Sequence, residues 1–205
     1  MEHPFKEEIA QSRQSEYPIN PLILNRWSPR SMTGEEMGDD ELMPLFEAAR
    51  WAPSSYNNQP WRFLYARRNT ANWPLFYDLM VEFNKEWTKN AAALVVVVSA
   101  SLFDHNQKPC RTHSFDTGAA WMAMAIEGAS RGYVVHGMEG FDYQKAKLAL
   151  GIPDDHQVEA MVAIGKRAPI SALPPELQKK EKPSPRKSID EIAIEGKFKK
   201  NPKID

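Results

Sequence analysis

A single cysteine, Cys110, stands in 205 residues, so no intramolecular disulfide can form and burial alone must hold the core. No apolar run approaches the ~20 residues of a membrane-spanning helix. The opening Met1-Glu2-His3-Pro4-Phe5-Lys6-Glu7-Glu8 is too polar and acidic for a secretory leader, so a cytoplasmic location is expected. Neither sign of charge dominates. A net charge of −1 provides no global field to gather nucleic acid or to coat an anionic membrane. The two best-marked phosphate loops, GxGxxG after a strand and GxxxxGK[ST], are also missing, so any phosphate must be held by side chains. A chain this long buries roughly 70% of its unfolded surface, and no internal repeat divides it. One domain over residues 1–205 is expected.

What the chain does contain is a succession of helix and strand patterns. Residues 2–16 read as a mostly polar helix with Phe5 and Ile9 on one side, packed loosely or across a partner. Asp39 or Asp40 can cap a helix running to Arg50, with Pro44 near enough to the first turn to be tolerated. Trp61 to Ala66 and Ala92 to Ser99 read as strands, with one aromatic-rich helix between them from Asn72 to Lys89. The run Leu94-Val95-Val96-Val97-Val98 is apolar on both faces and predicts a central strand covered on both sides. Phe115 to Arg131 predicts a long helix, apolar nearly all round, that is either central or shared between subunits. Gly132 ends it, Tyr133 to His136 continues as a strand, Asp142 caps a helix to Leu150, and Val158 to Gly165 closes the core. Six Trp, six Tyr and nine Phe offer flat surfaces that suit a core or an aromatic ligand equally.

Three polar segments could carry chemistry. In Arg26-Trp27-Ser28-Pro29-Arg30, an extended backbone before Pro29 sets Arg26, Ser28 and Arg30 on one face. Two guanidinium forks around a hydroxyl make an anion clamp, although a solvated basic edge has the same spacing. In Pro53-Ser54-Ser55-Tyr56-Asn57-Asn58-Gln59-Pro60, two prolines fix a run of short donors and acceptors that suits a planar polar ring, or an ordinary helix stop. Gly137-Met138-Glu139-Gly140 places two glycines where a backbone can be approached closely. From Ala168 the composition turns to proline, lysine and glutamate. Nine basic and six acidic residues between Ile170 and Asp205 leave +3 on this arm, while Ile189, Ile192, Ile194 and Phe198 suggest that it embraces the domain or a partner. Cys110, His113 and His105 have loose zinc spacing without a fourth ligand, and no nucleophile has a convincing base, so neither a metal nor a catalytic side chain is expected. Asp116 and His136 read as a first-turn carboxylate and a strand-end histidine.

In kind, order and separation these segments resemble the flavin-dependent nitroreductase family from about Arg26 to Ile194; Pro-Ser-Ser-x-Asn-x-Gln-Pro-Trp is the most specific piece. The resemblance implies an α+β fold, a central mainly antiparallel sheet flanked by helices, in an intertwined homodimer with flavin mononucleotide (FMN) sites at the interface. It implies that Arg26 and Ser28 hold the phosphate with Arg186, or with Lys187 in its stead. Arg30 would lie near the pyrimidine edge, and Trp27 would contribute main chain. Pro53, Ser54, Ser55, Asn57 and Gln59 would form the ring wall, with Pro53 to Asn57 reaching the flavin of the other subunit. Met138, Glu139 and Gly140 would lie over the ring, with a backbone N–H directed at N5. A family lysine or asparagine ahead of the valine-rich strand corresponds to Asn84, Lys85 or Lys89. The implied activity passes hydride from NAD(P)H through FMN to nitroaromatics, quinones or similar small acceptors by a ping-pong scheme. Reductive dehalogenation, flavin fragmentation and flavin storage are the alternatives on the same scaffold.

Overall fold

The computed structural model describes residues 7–198. Four strands, β1 (Trp61–Arg67), β2 (Ala93–Ala100), β3 (Tyr133–Met138) and β4 (His156–Lys166), form one antiparallel sheet in the order β1-β2-β4-β3. Around it lie α1 (Glu7–Ala10), α2 (Pro21–Asn25), α3 (Asp39–Arg50), α4 (Trp73–Tyr77), α5 (Glu82–Thr88), α6 (His113–Ser130), α7 (Tyr143–Ala149), α8 (Pro175–Gln178) and α9 (Ile189–Ile192). The fold is α+β, as the family resemblance implied. No helix among the described residues is long and apolar enough to cross a membrane.

β2 is central and fully buried, and its alternation splits the core in two. Leu94, Val96 and Val98 point into one cluster with Leu79, Trp87 and Met161, while Ala93, Val95 and Val97 point into another with Leu42, Leu45 and Met124. A strand apolar on both faces therefore has a helical layer on each side. On the second face α3 and α6 pack together, and α6 approaches β3 so closely at Gly128 that an added Cβ would stand 2.4 Å from Val135 Cγ2.

Several local expectations change. The single helix expected over Asn72 to Lys89 is two, because residues 78–81 leave the helical path to pair with the chain after β3: Val81 N–H donates to the Gly140 carbonyl at 3.1 Å and Asp142 N–H to the Leu79 carbonyl at 2.9 Å. The cap of α3 is Gly38 rather than Asp39 or Asp40, with Glu41 Oε2 accepting the Gly38 N–H at 3.2 Å. Within the described residues the first helix ends at Ala10, where Ser12 and Arg13 both donate to the Ile9 carbonyl; residues 1–6, including Phe5, lie outside them. Ile9 is fully buried and anchors this helix, while most of the described residues around it are exposed. The cap of α7 matches its reading: Asp142 accepts from Lys145 N.

Candidate functional site

Residues 26–31 form no regular strand; only Met32 bridges, to Arg167. Side chains from three distant parts of the chain hold this irregular backbone. Arg13 Nη1 donates to the carbonyls of Leu24 and Arg26, both at 2.9 Å, while its Nε donates to Ser184. His136 Nδ1–H, on β3, donates to the Pro29 carbonyl at 2.9 Å. Glu181 Oε1 accepts the N–H groups of Arg30 and Ser31 at 2.8 and 3.0 Å. A loop so fully anchored can present its guanidinium groups in fixed positions.

Arg26 is buried, and its Nη1 donates to Ser28 Oγ at 3.3 Å, joining two members of the expected clamp. Arg26 Nε is buried with no hydrogen-bond partner. Arg13, Arg26, Arg186 and Lys187 line one cavity of about 350 Å³. Burial first, then Arg186 and Arg26, lower the pKa of Arg13 to about 10, and burial with Arg186 lowers that of Arg26. Crowded cations with an unpaired buried donor are complementary to an anion, since a bound phosphate would relieve the repulsion and accept the orphaned N–H. Burial, reinforced by Arg30 and Arg26, also lowers the pKa of His136 to about 4, so this histidine is neutral at pH 7. Arg30 turns toward Glu181, and the Trp27 side chain is committed to Glu8 and to Arg167, whose guanidinium lies 4.7 Å from the ring centroid.

The loop after α3 has an unusual backbone. Tyr56, Asn57 and Gln59 adopt positive φ of 51, 53 and 48°. Left-handed geometry in non-glycine residues costs roughly 1–2 kcal/mol each, less for Asn, and must be held from outside. Asp116, at the start of α6, accepts Ser55 N–H, while Asn58 bonds the backbone of Leu102 and Asp104. Ser54 Oγ accepts Gln59 N–H at 3.0 Å, closing the loop on itself. Asn57 and Gln59 line a second cavity with Tyr56, Arg62 and His105, and no residue is shared with the arginine cavity. Pro53 is exposed beside them.

At the end of β3 Met138 is buried; beyond it the Glu139 side chain is exposed, and Gly140 is pressed against α5. Asn84 Nδ2 donates to the Gly140 carbonyl at 2.9 Å while Asn84 Oδ1 accepts from Trp87, so a Cβ on residue 140 would meet Asn84 Nδ2 at 2.6 Å. Asn84 is thus fastened to the third segment, whereas Lys85 pairs with Glu82. Cys110, His113 and His105 go separate ways: Cys110 is buried near Thr112, His113 lies among Ser99, Ser114 and Glu159, and His105 lies against Tyr56.

Sequence reasoning missed Arg13 and Glu181, and read His136 only as a strand residue. No local pattern marks them, because each acts on backbone more than ten residues away.

A model of the nitroreductase family matches residues 23–82 and 70–166. A solved oxidoreductase containing FMN is similar over 92% of this chain and 97% of its own, with 45% identity and a TM-score of 0.87. Protein DrgA of Synechocystis sp. is 27% identical, over 62% of this chain and 73% of that protein. An oxygen-insensitive NADPH nitroreductase of Helicobacter pylori is 39% identical over 64 residues, 31% of this chain and 30% of its own. The matched region runs from the arginine segment through the polar loop and the glycine segment to the end of β4, and the chain belongs to the nitroreductase family.

Proposed function

We propose that the protein is an FMN-dependent oxidoreductase that takes hydride from NAD(P)H and delivers it to nitroaromatics, quinones or similar small electron-poor acceptors. The observation that carries this reading is the arginine cavity, where Arg26 keeps a buried, unpartnered Nε beside Arg13, Arg186 and Lys187, with Glu16 the one acidic side chain in the lining. The residues fit the cofactor's phosphate. Arg26, Ser28 and Arg186 would hold it, with Lys187 beside them, and Arg13 would keep the Arg26 backbone in place. Arg30 would lie at the pyrimidine edge, where a fixed cation favours developing negative charge. Trp27 would contribute main chain only, in keeping with its committed side chain. Bound FMN supplies two-electron transfer, which removes the need for a protein nucleophile.

The ring wall in this reading is Pro53, Ser54, Ser55, Asn57 and Gln59, with Met138, Glu139 and Gly140 over the ring. Because Asn57 and Gln59 line a different cavity from Arg26, each loop is assigned to the flavin of a partner subunit in a homodimer. The half-covered Trp121, Met122 and Ile126 and the exposed Phe115 on α6 support such an interface.

The visible spectrum of the purified protein, before and after anaerobic NADH or NADPH, tests the proposal. Flavin absorption that bleaches on reduction is expected. A colourless protein that takes up no FMN on titration overturns the cofactor assignment, and bound flavin that neither nucleotide bleaches overturns the NAD(P)H-dependent activity.

A further inference from the structure

Glu181 lies on the C-terminal arm, 151 residues from Arg30, yet its side chain is fully buried against it. Oε1 does the work of a structural acceptor, taking the N–H groups of Arg30 and Ser31. The arm is fixed around this contact: Ser31 Oγ donates to the Pro169 carbonyl at 2.6 Å, Ala168 N–H donates to the Ser31 carbonyl, and Leu173 and Leu177 are buried. Oε2 has a different position. It lies 3.9 Å from Arg30 Nη1 with no hydrogen bond of its own, and Arg30 Nε is likewise buried and unbonded. A glutamine could accept the two backbone N–H groups equally well. Only a carboxylate also sets a negative charge beside the guanidinium, and a buried charge without full pairing is retained at a cost in stability.

Resting on the placement of Arg30 at the flavin's pyrimidine edge, we infer that Glu181 is a positioning residue that aims Arg30 and limits how much of its positive charge reaches the cofactor. With the guanidinium partly neutralised, negative charge gained by the flavin on reduction is stabilised less than by a free arginine. The carboxylate therefore holds the flavin potential down, which favours onward transfer to weak acceptors.

Redox titration of the FMN-loaded protein tests this with Glu181→Gln and Arg30→Ala. Glu181→Gln keeps both backbone hydrogen bonds and should leave thermal stability near that of the parent. Its midpoint potential should rise, equivalent to reduced FMN gaining affinity over oxidised FMN by on the order of tenfold. Arg30→Ala should lower the potential. A Glu181→Gln protein with the parent potential, set against a shifted Arg30→Ala, overturns the inference alone; an unshifted Arg30→Ala overturns the placement of Arg30 as well. Should Glu181→Gln fail to fold, Glu181→Asp keeps an acceptor and the charge but draws the charge back from Arg30, and must move the potential in the same direction by less.

Discussion

The backbone N–H of Ser55 donates to Asp116 Oδ2 at 3.0 Å, and the same oxygen accepts the Thr112 hydroxyl at 3.1 Å. One buried carboxylate thus ties a loop with three left-handed residues to the first turn of the longest helix. The polar loop, read from sequence as either a ring wall or a helix stop, is a strained structure with its own anchor.

Asp116→Ala should destabilise the protein by about 1–3 kcal/mol, because it leaves the Ser55 N–H and the Thr112 hydroxyl without their acceptor. Denaturant unfolding measures this. A variant as stable as the parent would mean that the loop holds its geometry without Asp116.

Arg26→Ala should weaken FMN binding by about 1.5–3 kcal/mol through the loss of a charge-assisted phosphate contact. Fluorescence titration of the apoprotein reads it, and an unchanged dissociation constant removes Arg26 from the clamp. Arg186→Ala and Lys187→Ala, compared in the same assay, decide which of the two arm residues meets the phosphate.

Acid should weaken the fold through His136. Burial holds its pKa at about 4 against the ordinary histidine value of 6.5, so the unfolded chain takes up the proton first. Its neutral form contributes fully above pH 6.5, and that contribution is lost as pH falls from 6.5 towards 4, by on the order of 3 kcal/mol at completion. His136→Gln should flatten this limb of the stability profile; an identical profile would assign the acid sensitivity elsewhere.

Phe115, 80% exposed on α6, should be covered in the proposed homodimer. Phe115→Glu is expected to shift sedimentation towards the mass of one chain and to lower FMN occupancy, since in the proposed dimer each site takes a loop from the partner. A parent protein that sediments as a stable monomer with full flavin occupancy contradicts the shared site.

The sequence by itself determined the elements whose signals are local. The unbroken Leu94 to Val98 run has only one comfortable place, the middle of a sheet covered on both faces. Asp142 caps its helix with atoms three residues apart, and the order of the arginine, polar-loop and glycine segments carries the family likeness in the sequence itself. Tertiary structure decided the rest. It broke the helix expected over residues 72–89, because pairing Val81 with Gly140 outweighed local helical propensity. It also chose the supports of the clamp. Arg13, His136 and Glu181 bond to backbone groups, which carry no side-chain signature, across separations of 11 to 151 residues. A sequence pattern can specify which side chains face a ligand; which distant side chains hold their backbone still depends on how the chain folds back on itself.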